Sequence, residues 1–410
     1  MMTKKEKKRV PELRFAGFEG EWEEKKLGKL TSKVGSGSTP RGGVDVYTTT
    51  GIPFIRSQNV LDNQLLLDET HIPESVHERM AGSTVLPNDV LLNITGGSIG
   101  RSCVVPSNGF SEGNVNQHVS IIRLKKDSPH FLQALLSSHR GQNLIYQGMT
   151  GSGREGLNFQ SIRGFKINIP KPEEQQKIAT FLTSIDTRLQ HLEKKKTLLE
   201  QYKKGVMQKI FSQEIRFRRD DGEEFGKWEE KRLGDYLNHK SKRNKKLEID
   251  RVLSVSNSRG FILQSEQFDN HRVASKDVSN YKIVNKGDIA YNPSRINVGS
   301  IATLKDFEVG IVSPMYIVFS LKNTLNSIFF ENLIDTHLFK HLVKIGCSGS
   351  VRDSLNFEDL ESFTIKTPCL AEQTKIAQFL SALDRKIAAM DGQIEKTKEW
   401  KKGLLQRMFV

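Results

Sequence analysis

Three places in the chain bring together side chains that could do chemistry, and each falls short in a definable way. Asn292-Pro293-Ser294-Arg295 begins like the Asn-Pro-Pro-Tyr/Phe motif with which adenine methyltransferases hold a flipped base. It lacks the second proline and the aromatic residue that would stack on that base, and no glycine-rich cofactor loop precedes it. His337 and His341 stand one helical turn apart with Cys347 nearby, the beginning of a zinc site that finds no fourth ligand. Residues 35–43 are glycine-rich but lack the lysine of a phosphate-binding loop, and no His-Glu-x-x-His occurs. The three cysteines, Cys103, Cys347 and Cys369, are odd in number and at no metal-ligand spacing, which fits free thiols in a reducing cytoplasm. No catalytic residue, metal site or cofactor site is therefore expected, and binding is the function left.

The residue types that read base edges lie elsewhere. Arg, Lys, Asn, Gln and Ser side chains on loops serve that purpose in the major groove. Polar loops of this kind occur at equivalent places in both halves. The first half offers Ser57, Gln58 and Asn59, then Thr95, Ser98 and Arg101, then Asn116 and Gln117. The second offers Ser256, Asn257 and Arg259, then Asn292, Arg295 and Asn297. Arg154 and Arg352, in Gly/Ser-rich turns, suit phosphate, as do Lys240, Lys242, Arg243 and Lys245 in the basic run 240–246. A net charge of +14, from 62 Lys+Arg against 48 Asp+Glu, favours a polyanionic partner such as nucleic acid.

The elements that must position these loops are repeated. Trp22-Glu23-Glu24-Lys25-Lys26-Leu27-Gly28 returns as Trp228-Glu229-Glu230-Lys231-Arg232-Leu233-Gly234 at an offset of 206. From residue 151 the offset becomes 198 and holds without a gap. Residues 151–211 and 349–409 share 22 identities in 61 positions, too many for chance at one constant offset. Between these stretches the halves align only in patches. Short apolar runs at 52–60, 89–94, 119–124, 288–291 and 315–321 predict strands. One helix per half is predicted, over 131–146 and 328–345.

The segments 173–212 and 371–409 carry seams of period seven. The first holds Ile178, Ile185, Leu192, Leu199 and Val206, and the second Ile376, Leu383, Met390 and Leu404, with Ile387 in its companion row. Pro170 and Pro368 sit just before the starts, and Glu173, Glu174 and Glu372 favour the first turns. Such long seams predict a coiled coil, with Leu192 and Ile387 in dry surroundings. An α+β chain follows, divided as 1–168, 169–213, 214–366 and 367–410. No apolar run suits a membrane helix, and no signal peptide is read at the N-terminus.

These segments make the whole chain resemble the specificity (S) subunits of type I restriction-modification enzymes. The stretch 169–179, Ile-Pro-Lys-Pro-Glu-Glu-Gln-Gln-Lys-Ile-Ala, and its echo at 368–377 resemble the start of that family's two conserved helices. Ser36-Gly37-Ser38-Thr39-Pro40, Ile52-Pro53-Phe54-Ile55 and Val115-Asn116-Gln117 resemble parts of its target-recognition domains. The second half departs from the pattern: it has no Ser-Thr-Pro segment, and Ser313-Pro314 stands where Asn116-Gln117 would. The resemblance implies two pseudo-symmetric target-recognition domains, each followed by a long helix, the helices pairing as an antiparallel coiled coil. It implies a non-catalytic chain that reads a split, asymmetric DNA site for two methyltransferase (M) subunits and for restriction/translocase (R) subunits. S-adenosylmethionine, ATP and Mg are then expected on those partners, not here. A stand-alone DNA-binding regulator on the same scaffold is the alternative.

Overall fold

The computed structural model describes residues 9–150, 156–267, 277–347 and 354–410. The chain divides into two compact units, neither of which is a continuous stretch. One takes the residues up to Lys195 together with Met390–Val410, and the other takes Lys196–Ala389.

In the first unit a four-stranded antiparallel sheet has the order Thr31–Ser36, Val119–Leu124, Val90–Asn93, Ser102–Val104. A second sheet, His71–Ile72, Ile52–Ile55, Gly113–Val115 and Thr84–Val85, closes over it on Ile55, Leu91, Cys103, Val115 and Ile121, all fully buried. In the second unit the strands Leu237–Lys240, Ile317–Leu321, Ile289–Tyr291 and Ile301–Thr303 repeat the order of the first sheet. The runs read from the sequence at 89–94, 119–124, 288–291 and 315–321 hold the strands Val90–Asn93, Val119–Leu124, Ile289–Tyr291 and Ile317–Leu321. The run 52–60 is not one strand. It breaks at Arg56 into a short 3-10 turn, Ser57–Asn59, before Val60–Leu61.

The single helix expected in each half is two. Pro129–Ser137 and His139–Gly148 are separated at Ser138, and Ser327–Ile334 and His337–Cys347 at Thr336. Both breaks have one cause. The Ser138 hydroxyl donates to the Leu135 carbonyl at 2.6 Å and accepts the Gly141 amide at 3.2 Å, ending one helix and capping the next. Thr336 does the same between Leu333 and Phe339, at 2.6 and 3.2 Å. Gly141 is required at the first break, because a Cβ there would lie 2.1 Å from the Leu135 carbonyl oxygen.

The long helices are Pro172–Phe211 and Leu370–Met408. At ~1.5 Å per residue each is about 60 Å long. The Glu-Gln pairs at their starts, which recur at the offset of 198, bind each helix to its own unit. Glu174 takes a bidentate ion pair from Arg14, both contacts 2.8 Å, and Glu372 takes one from Arg216 at 2.7 and 2.8 Å. The next residue clamps a neighbouring helix start. The Gln175 Oε1 accepts the Ser128 amide at 3.0 Å, and the Gln373 Oε1 accepts the Asn326 amide at 2.8 Å.

Within each unit the two helices pair antiparallel. In the first, Phe181 meets Trp400 edge-on, Asp186 pairs with Lys401, and Glu193 pairs with Lys398 at 3.1 Å. Ile178, Leu182 and Ile185 share a core with Leu404, Met408 and Phe409. In the second, Val206 and Ile210 pack with Ile376, Leu380 and Leu383, and Lys203 binds Asp384 at 2.6 Å. The seam is not uniformly dry, and Ile394 on the second helix is 5% exposed. Ile185 is 3% exposed, whereas Leu192, Leu199, Val206, Ile387 and Met390 are half-buried. That corrects the expectation for Leu192 and Ile387: two helices alone leave one side of such side chains open to water.

Candidate nucleic-acid interface

In the first unit Val90–Asn93 ends at a fully buried asparagine, whose side chain organises the loops around it. The Asn93 amide donates to the Ser57 carbonyl at 2.9 Å and to the Ser98 Oγ at 3.1 Å, joining the turns Ser57–Asn59 and Gly96–Ser98. These turns border a cleft of about 1050 Å³, lined by Ser57, Thr95, Ser98, His118, Gln142 and Tyr146 among others. Thr95 Oγ1 is hydrogen-bonded to His118 Nδ1, and Gln117 links His118 to Thr39. Gly37 sets the last of these contacts. Its amide donates to the Asn116 carbonyl at 3.2 Å, and a Cβ on it would lie 1.6 Å from the Val115 oxygen. The Ser-Gly-Ser-Thr-Pro segment thus lies tight against the strand that leads to Gln117.

Two first-half candidates are not available to DNA. Asn59 is 4% exposed, accepting the Arg56 amide at 2.8 Å and donating to the Leu66 carbonyl at 2.9 Å and to Asp68 at 3.1 Å. Asn116 is 8% exposed and accepts the His118 amide. Both shape the loops that carry their neighbours. Gln58, Arg101 and Gln117 are exposed. Burial would raise the Asp68 pKa, but hydrogen bonds from Thr70, Asn59 and Arg56 outweigh it and hold the carboxyl well below the ordinary carboxylate range.

The second unit has a cleft of about 700 Å³ between the corresponding loops, lined by Ser256, Asn257, Arg259 and Asn297 with Lys305 and Lys340. Its charge is mixed: Lys305 pairs with Glu331 at 2.7 Å, and Lys340 with Asp335 at 3.5 Å. Ser256 is partly committed, its Oγ accepting the Ser258 and Arg259 amides at 3.4 Å. Asn292 accepts the Ser294 amide at 3.1 Å and shapes the turn from which Arg295 and Asn297 project, exposed. Tyr291, next to Asn292, is no stacking platform. It is fully buried, its one hydroxyl proton is shared between the Leu355 and Asn356 carbonyls at 3.2 and 3.1 Å, and burial pushes its pKa up.

The basic run divides. Lys240 is half-buried and bound to Asp288 at 2.9 Å, a structural pair like the bidentate Arg123–Asp89 contact of the first unit, so it is withdrawn as a phosphate contact. Lys242, Arg243 and Lys245 are exposed, and Arg243 and Lys245 converge on the Asn280 side-chain oxygen at 3.3 and 2.8 Å. Burial first, and Arg243 second, push the nearby Lys282 ammonium pKa down. Arg154 and Arg352 lie outside the described residues. Among the described residues no group of three or more His, Cys, Asp or Glu is placed to hold a metal. Burial pushes the Cys103 thiol up to about 12, away from reactivity at neutral pH. No helix among the described residues is long and apolar enough to cross a membrane.

Several residues at these sites escaped the sequence reading. Gln142 and Tyr146, the latter 76% exposed, reach the first cleft only because the helix breaks at Ser138. Arg14 and Arg216 had a usable signal, the repeated Leu/Ile-Arg-Phe before each tryptophan. An insertion of four residues between Arg216 and Trp228 hid it.

Comparison with known proteins agrees with this geometry. The type I restriction modification DNA specificity domain matches twice, over residues 19–201 and 226–399. The type I restriction enzyme MjaIX specificity subunit of Methanocaldococcus jannaschii is 24% identical over 427 residues, spanning 95% of this chain and 92% of that one. The S subunit of a type I restriction-modification system from M. genitalium has the same fold, with a TM-score of 0.59 at 14% identity over 98% of this chain and 99% of that one. A chain from a study of complex assembly and conformational transition in the type I R-M system gives 0.53 at 14% identity, over 94% and 96%. With both halves matched, the chain belongs to the family of type I restriction-modification DNA specificity domains, whose members are non-catalytic DNA-recognition subunits.

Proposed function

We propose that this chain directs two M subunits, and through them R subunits, to a bipartite and asymmetric DNA site in the cytoplasm. One observation carries the reading: the same sheet order, helix break and Arg–Glu anchor occur in both units, while the loops on them differ. A repeated scaffold suits two like partners, and unlike loops suit two unlike half-sites. Ser57, Gln58, Thr95, Ser98, Arg101 and Gln117 would read one half, and Ser256, Asn257, Arg259, Arg295 and Asn297 the other. Lys242, Arg243 and Lys245 would hold phosphates. S-adenosylmethionine, ATP and Mg would be bound by the partners.

The test is co-expression with the cognate M subunit, followed by mass measurement of the complex and mapping of methylated adenines. Two M per chain and a split, non-palindromic motif are expected. Methylation by the purified chain alone, or a continuous motif, would overturn the proposal.

A further inference from the structure

The first cleft contains a chain of hydrogen bonds whose direction determines what it can recognise. Thr39 Oγ1 donates to Gln117 Oε1 at 2.8 Å. The amide Nε2 of Gln117 lies 3.2 Å from His118 Nε2. An amide nitrogen can only donate, so His118 Nε2 is the acceptor and its proton sits on Nδ1. Nδ1 then donates to Thr95 Oγ1. The Thr95 oxygen is thereby used as an acceptor, and its own hydroxyl proton is left to point at whatever enters the cleft that Thr95 lines. Gly37, pressed against Val115, holds the Thr39 end in place.

The relay belongs to one unit only. The strand register aligns Val90 with Ile289 and Ile122 with Phe319, which sets Ser313-Pro314-Met315 opposite Asn116-Gln117-His118. Proline and methionine cannot transmit a proton orientation.

We infer that Thr95, polarised by His118 and Gln117, is a specificity-determining donor that reads a purine N7 in the half-site bound by the first unit. A single hydroxyl donor matches a single in-plane lone pair, and N7 is the acceptor that adenine and guanine both present in the major groove. Thr95 then disfavours cytosine, which presents only an amino donor in the major groove, on one strand at one position. Toward that contact His118 and Gln117 act as positioning residues, through Thr95. This rests on the DNA-reading function proposed above.

The experiment uses the chain complexed with its M subunit, after the wild-type motif has been mapped. Duplexes carrying 7-deazapurine at each purine of the motif in turn are compared by binding to wild type, Thr95→Val and Thr95→Ser. One first-half purine should be sensitive, its deaza analogue weakening wild-type binding by about fivefold to tenfold. Thr95→Val should bind the natural duplex that much less well and lose nothing further from the deaza substitution, while Thr95→Ser behaves as wild type. His118→Ala should weaken the coupling to that same purine and no other. If Thr95→Val does not fold, the wild-type scan still decides: no deaza-sensitive purine in that half-site overturns the inference. Equal deaza losses in wild type and Thr95→Val, or a sensitive purine only in the other half, also overturn it. Absence of any sequence-directed methylation by the wild-type complex would instead overturn the underlying function.

Discussion

At the scale of single residues, the asparagines of this chain show how one residue type is divided between building loops and meeting DNA. Asn59 and Asn93 are buried and tie turns together, whereas Asn257 and Asn297 stand exposed at the second cleft. Asp68 belongs with the builders, joining Arg56, Asn59 and Thr70. Its folded pKa is depressed, so its contribution to stability is present above the unfolded value near 4 and is lost as pH falls below it. Denaturation curves taken from pH 6 to pH 3 should therefore show a fall that Asp68→Asn flattens, with the variant already weaker at neutral pH. An unchanged pH profile would show that the network contributes nothing. Charge on the surface separates in the same way. Replacing Lys242, Arg243 and Lys245 by Ala should weaken binding to all DNA alike and flatten the salt dependence by up to ~2.7 in log–log slope. Arg295→Ala should instead relax one base pair, worth ~1–3 kcal/mol. Salt titrations on specific and random duplexes distinguish the two.

At the scale of elements, heptad spacing was legible in the sequence, but the dryness of each seam position was not. Periodicity says which side chains face the partner helix. How much water they meet depends on whether a domain covers the open side. Ile185 belongs to the core of the first unit that also holds Leu132, Leu135 and Ile145, while Leu192 lies outside it. Ile185→Asp should cost roughly 3 kcal/mol or more in chemical denaturation. Leu192→Asp should cost distinctly less, since its carboxylate can stay hydrated. Equal losses would mean the seam is uniformly dry. The two helix breaks were hidden for a related reason. Ser138 and Thr336 sit inside good apolar periodicity, and only the hydroxyl bonds to neighbouring backbone, made where the next helix docks, end the first helix.

At the scale of the whole molecule, the order of domain and helix along the chain leads to a prediction about DNA. Exchanging residues 30–150 for those of a relative should change one half of the methylated motif and leave the other half alone, because the two recognition sheets have separate cores. A swap that altered both halves would refute independent reading. The repeat, its constant offset, the helical seams, the positive charge and the missing catalytic motifs were all determined by the sequence, since each is a pattern between residues at known separations along one chain. Three things were decided only by tertiary structure. Phe409, at the far end of the chain, packs on Trp22 and Phe131 of the first unit, as Phe211 packs on Trp228 and Phe329 of the second. Lys240 is taken up by Asp288, far away in the chain. Thr95, Gln117 and Thr39 are joined across the sheet into one relay. Whether a polar side chain is free for a ligand depends on which distant donor or acceptor reaches it first, and chain-local spacing carries no information about that.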